Sequence, residues 1–310
     1  MTDGPLILVR FALYLVLMLL FGIALHGGTR NARSPDAGAI SLRVPGGLLG
    51  LAAIALSGLS LALLAAGMSG VPLAELEWSS VAILLTGTSL GLTVKLRIAA
   101  LIVALACALL AVHLRSLARW GMVAAGGVAL ATLAWTGHAA ASEGNLGVLH
   151  MVADIVHLLA AGAWLGALAA LFWRLFRIGA SGDGAADLRI AHGALSRFSA
   201  AGTIIVGLIM ITGLVNSFVL VGPANLLSLP SGRYGQLLLA KLALFLLMLA
   251  LASSNRWRLT PRLEAALATG AHAGAVGDLR RSLLAETLAA VAILALVAWL
   301  GTLAPPMSGE

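Results

Sequence analysis

The sequence predicts an all-α polytopic membrane protein of eight transmembrane helices. Three observations carry that prediction. Of the 310 residues, 61% are apolar and only 10% are charged, against about 45–50% and about 25% in soluble domains. The mean hydropathy of +1.04 leaves too little polar surface to face water. The apolar residues also fall in runs of about 20, the length that crosses a ~30 Å hydrocarbon core.

Taken in order, the runs cover about 5–25, 46–67, 91–114, 121–140, 148–173, 195–221, 234–254 and 283–303. The first opens on MTDGP rather than on a basic segment, and no convincing small-residue cleavage site follows it. It therefore reads as a retained span and not as a signal peptide. Between the second and third runs, PLAELEWSSVAILLTGTSLG (72–91) is too long and too mixed for a tight turn. A short interfacial helix with Trp78 at the headgroup level is expected there. The stretches 177–194 and 259–281 are Gly/Ala-rich with scattered charges and read as linkers. No cytosolic-sized polar segment interrupts the spans, so residues 1–310 are expected to form one membrane domain.

A net charge of +7 and a pI near 11.0 would suggest nucleic acid in a soluble protein. Here the 19 Lys and Arg lie mostly in short gaps between spans, where the positive-inside rule accounts for them. Arg30, Arg33 and Arg43 follow the first span; Arg115 and Arg119 follow the third. Arg174, Arg177, Arg189 and Arg197 follow the fifth, and Arg256, Arg258, Arg262, Arg280 and Arg281 follow the seventh. The alternate loops hold few: Lys95, Arg97, Arg233 and Lys241 sit at or inside span ends. Both termini are expected on the outer side, the periplasm of a bacterial inner membrane, and no nucleic-acid partner is expected. Cys107 stands alone inside an apolar run, so there is neither a disulfide framework nor a CxxC site.

The chain also resembles itself. At an offset of 144 residues Gly22 falls on Gly166, Gly91 on Gly235 and Arg97 on Lys241; at a slightly larger offset AWTGH (134–138) matches AWLGT (298–302). Four spans repeated in the same orientation imply a parallel repeat about an axis along the membrane normal, with halves at about 1–140 and 145–305. The offset sets Arg10 of the first span level with Asp154 of the fifth. A charge at that depth costs at least about 2.5–3.5 kcal/mol on insertion scales, so each should face the bundle and have a partner.

Chemistry concentrates in TGHAAASEGNLGVLHMVADIVHLLAAGAW (136–164). His150, Asp154, His157 and Trp164 share one helical stripe, which marks a bundle-facing site. Imidazoles with a carboxylate suit copper, zinc or iron, not magnesium or calcium. His150 and His157 differ by about 10.5 Å along the axis, too far for one ion to join both without a bend. An outer site is expected from His138 and His150, with Met151 or Glu143 in reach and Asp154 and His157 as the next polar step inward. Asp154 has two further readings, as the carboxylate that orients a ligating imidazole and as a structural partner of Arg10. His138 and His150 also admit a bland reading as interfacial residues. His26 and His113 lie at cytoplasmic span ends, where such residues snorkel, and receive no role. Glu286 reads as a structural ion pair with Arg281 or a helix N-terminal carboxylate, and Arg97 and Lys241 likewise as structural. The methionines are scattered with no MxxM pair.

HMVADIVHLLAAGAWLGAL, RFS (197–199), TGLVNS (212–217), RYGQLLLAK (233–241) and RSLLAE (281–286) together resemble the CopD copper-resistance family of inner-membrane proteins. The H-x3-D-x2-H run and the YG-x5-K segment carry the resemblance. It implies movement of a copper ion across the inner membrane, commonly beside a periplasmic copper-binding protein of the CopC type. Some relatives carry that soluble domain fused; this chain shows none, so such a partner is expected to be a separate protein. The metal residues implied are His138, His150, Asp154 and His157. Neutral imidazoles bind the ion, so uptake should weaken as histidines protonate below about pH 6.5. With no G-x4-GK-[ST] motif for ATP, flux is expected to be passive or coupled to an ion gradient, and the chain is expected not to be an enzyme. Two rival readings are a b-type haem protein with axial histidines from neighbouring spans and a non-transporting factor that delivers copper to an oxidase.

Overall fold

Hydrocarbon offers the backbone no hydrogen-bond partner, so each apolar run must satisfy its own N–H and C=O groups as a helix. The computed structural model describes residues 4–27, 42–111, 114–137, 144–176, 184–269 and 273–306. Its helices are α1 (Gly4–His26), α2 (Arg43–Ser69), α3 (Trp78–Gly87), α4 (Ser89–Leu110), α5 (Arg115–Ala131), α6 (Gly144–Phe176), α7 (Gly184–Val221), α8 (Arg233–Ser254), α9 (Thr260–Thr269) and α10 (Ala273–Leu300). Among the described residues, eight helical segments are long and apolar enough to cross a membrane, one for each expected span. The expected short helix is α3, whose Trp78 side chain is exposed.

Two stretches expected as linkers are largely helical. α7 already begins at Gly184, and α9 occupies Thr260–Thr269, joined to α8 through the π turn Asn255–Leu259. The physical reason is that hydropathy reports where lipid ends, not where a helix ends. Residues 184–194 are alanine-rich and free of proline, so the helix runs on past the apolar segment. Pro261 lies in the first turn of α9, where a missing N–H is tolerated.

α1 and α6 form the centre. α1 packs against α2, α5, α6 and α10, burying Leu13, Leu17 and Leu20. Gly22 of α1 meets Gly162 and Gly166, one turn apart on α6. A Cβ on Gly22 would run into the Gly162 carbonyl and the Gly166 backbone, and one on Gly166 into the backbone of Gly22. Small residues at this spacing let two membrane helices approach at backbone distance. Gly166→Val is therefore expected to destabilise the protein by at least about 1–3 kcal/mol, the usual range for overpacking. The check is its thermal unfolding midpoint in detergent; an unchanged midpoint would contradict so close a crossing. One apolar cluster gathers mainly α1, α4 and α5 with α6, and a second gathers α6 with α7, α8, α9 and α10. Ile102, Leu109, Ile211, Leu214 and Leu246 point outward, the apolar surface that lipid contact requires.

Several arginines satisfy carbonyls that helix ends leave open. Arg119 donates to the Ala24 and Leu25 carbonyls at the end of α1 (3.0 and 2.6 Å). Arg280 donates through Nε and Nη2 to the Leu175 carbonyl at the end of α6 (3.1 and 2.6 Å). Arg97, only 2% exposed, donates to Thr132 Oγ1 at 2.8 Å and the Thr132 carbonyl at 3.4 Å, not to a carboxylate as an ion pair would require. The sequence-based pairing of Arg10 with Asp154 does not form. Arg10 Nη1 donates to the Gly301 carbonyl at 3.0 Å, one of the open carbonyls past the end of α10, while Asp154 finds partners on neighbouring helices of its own half.

Candidate functional site

α6 carries the site because its polar residues recur at helical spacing on a helix that is otherwise apolar and central. His150 is 1% exposed, buried against the rest of the protein. One turn on, Asp154 Oδ1 accepts a hydrogen bond from Asn216 Nδ2 of α7 at 3.2 Å. His157 Nδ1 meets Thr212 Oγ1 of α7 at 2.9 Å. Thr212 gives its own proton to the Leu208 carbonyl at 2.6 Å, so its oxygen accepts from His157 Nδ1–H. With the proton on Nδ1, a neutral His157 keeps its lone pair on Nε2, one of the two nitrogens through which an imidazole binds metal. Thr212 and Asn216 are one turn apart on α7, matching the step from Asp154 to His157 on α6.

α8 supplies the opposing charge. The Lys241 ammonium lies within electrostatic reach of Asp154 and His157. His157 and Lys241 line a cavity of about 420 Å³, together with Trp164, Met18, Met210 and Met248. The thioethers come from α1, α7 and α8, too far apart in the chain to form any local Met motif. Residues with soft sulfur and imidazole donors line this one space, a set that suits copper better than hard divalent cations. The half-buried Lys241 by itself would repel a cation, and Asp154 is the charge that offsets it.

A second cavity of about 210 Å³ adjoins the C-terminal end of α8 and is lined by Trp164, Asn255, Arg256 and Glu286, among others. Glu286 is 2% exposed and its Oε2 accepts from Asn255 Nδ2 at 2.9 Å. Glu286 is neither paired to Arg281 nor N-terminal. α10 starts at Ala273, which puts Glu286 more than three turns inside, and its bonding partners are the neutral Asn255 amide and Trp164 indole.

Of the four candidate metal residues, His150, Asp154 and His157 follow one another along α6. His138 lies outside the described residues, as does His113. His26 Nε2 contacts the Ala163 carbonyl at 3.0 Å. No group of three or more His, Cys, Asp or Glu side chains converges among the described residues, so any metal site there must draw on other donors. Thr212, Asn216, Lys241 and the three methionines are the members that spacing did not reveal. Thr212, Asn216 and Lys241 do stand in TGLVNS and RYGQLLLAK, the segments on which the family resemblance rests.

The fold and the site define a polytopic helical membrane protein with a half-buried imidazole, carboxylate and ammonium cluster in its second half. Residues 1–148 match the family described as copper resistance protein D-like, N-terminal domain, and residues 192–300 match copper resistance protein D. The chain is 41% identical over 317 residues to copper resistance protein D of Pseudomonas syringae pv. tomato, covering 99% of each protein. It is 33% identical to inner membrane protein YebZ of Escherichia coli (strain K12) over 43% of each. It is 36% identical to copper transport protein CutJ of Bacillus subtilis (strain 168), over 39% of this chain and 21% of that protein. No solved structure matches it. The chain belongs to the copper resistance protein D family.

Proposed function

We propose that this protein conducts copper ions across the bacterial inner membrane without being an enzyme, with entry at the N-terminal end of α6 through His150. The observation that carries the reading is the gathering of His157, Lys241 and three methionines around one intramembrane space, with Asp154 one turn from His157 on α6 and within electrostatic reach of Lys241. Polar residues inside spans mark ion pathways by default, and the donor set favours copper, the metal named in two of the relatives. The thioethers further favour Cu(I) inside the cavity. Copper is the cargo. His150 and His138 are the outer ligands, Asp154 and His157 the inward step, and a separate periplasmic copper-binding protein of the CopC type is the natural donor. Copper presented outside proteoliposomes carrying the chain should enter faster than into protein-free vesicles; equal rates would remove this reading.

The orientation proposed puts both termini in the periplasm. Reporter fusions at Leu117 should then be cytoplasmic and at Gly144 periplasmic; both on one side would overturn it. We also propose that the chain is a parallel four-plus-four repeat. Three matched features support it. Gly22 and Gly166, aligned by the repeat, meet at the central crossing; Gly91 and Gly235 each take up close contact with carbonyls of the preceding turn, at Leu84–Leu85 and Leu229. An arginine from the last span of each half closes the end of the first, Arg119 on α1 and Arg280 on α6.

A further inference from the structure

We propose that Glu286 is a proton-binding site that exchanges with the cytoplasmic side and couples proton movement to copper movement. The proposal rests on the transport reading and its orientation, which makes the cavity at the C-terminal end of α8 the cytoplasmic one.

A carboxylate that deep in a membrane helix is costly unless it is used or paired. The partners described for Glu286 are two neutral donors, the Asn255 amide and the Trp164 indole, with no cation bonded to it among the described residues. One carboxylate with one amide provides too few ligands for a metal ion. It does suffice for a proton. Asn255 is suited to both states: its Nδ2–H now donates to Glu286, and its Oδ1 is buried with no partner. When Glu286 takes up a proton, rotation of the amide offers that oxygen as an acceptor for the new O–H, so neither state leaves the acid unsatisfied. The balance is simple: one proton taken from the cytoplasmic cavity converts the carboxylate to the neutral acid. Its release past Trp164 into the cavity of His157 and Lys241, toward the outer side, restores the charge, so one proton leaves as copper enters.

The surroundings of Glu286 hold few competing groups. Arg256, beside Asn255 in the π turn, lines the same cavity and is bonded to Thr203. α6 brings the buried Trp164 indole N–H against the carboxylate, a second neutral donor to it. Lys241 of α8 opens on the other cavity. α9 carries Arg262 and Glu264, the latter facing His192 at 4.0 Å. The charge of α1 within its span, Arg10, is bonded at the far end of α10. Trp164 is the one residue common to the linings of both cavities. The proton site therefore stands across a single side chain from the space that holds His157 and Lys241, close enough for occupancy of one cavity to bias the other.

The test uses the full chain in proteoliposomes with a pH-sensitive dye trapped inside, and reads copper entry and proton movement together. The unsubstituted protein should show a copper-driven proton signal that Glu286→Gln reduces to the level of protein-free vesicles, relative to copper moved. Glu286→Asp should restore part of it, which a merely structural role would not predict. An undiminished proton signal per copper in Glu286→Gln overturns the proposal. Copper entry without any proton signal in the unsubstituted protein overturns it equally, needs no variant to fold, and leaves the transport reading standing. No copper entry at all in the unsubstituted protein removes both.

Discussion

Replacing His150 by alanine is expected to weaken copper binding by at least about 10–100-fold, the loss that even a supporting residue of a metal site commonly causes. His150 is buried at the start of the α6 stripe, so a smaller side chain removes a donor that water cannot readily replace. His157→Ala should behave differently. It lies about 10.5 Å further along the helix, so it should leave most of the outer affinity and slow passage inward. Copper titration of both variants in detergent separates the positions. Equal affinity in both variants and the unsubstituted protein would reduce these histidines to packing residues.

The second large effect is on stability. Asp154 is held by Asn216 and faces Lys241 across the α6–α8 gap. Asp154→Asn leaves the half-buried Lys241 ammonium without that carboxylate; breaking a fully buried pair costs about 3–5 kcal/mol, and a smaller loss is expected here. Adding Lys241→Met should recover much of that loss. Unfolding midpoints of the two single variants and the double variant form the cycle. Strict additivity would show that the two charges do not interact.

Hydropathy made the eight spans and α3 legible, because lipid imposes a length and an apolar surface on each crossing helix. It misled at 184–194 and 260–269, since an alanine-rich helix continues in water. The α6 stripe was legible because His150, Asp154 and His157 repeat at helical spacing within one element. Their partners were not: Thr212, Asn216 and Lys241 lie on α7 and α8, and only tertiary packing brings them to α6. Met18, Met210 and Met248 show the same limit, being scattered in the sequence yet gathered on one cavity. The Arg10–Asp154 expectation failed for a related reason. Equal depth on related helices does not put two side chains face to face, and each found a nearer partner. Glu286 was misread because the apolar run begins at 283, ten residues after the helix does.

The measurement that bears most directly on copper passage along α6 is copper entry into proteoliposomes carrying the unsubstituted protein, His157→Ala, or the lipid-facing control Ile211→Ala. The unsubstituted protein and Ile211→Ala should admit copper alike, and His157→Ala should admit markedly less while still binding copper in detergent. Copper entry through His157→Ala at the unsubstituted rate would contradict the route.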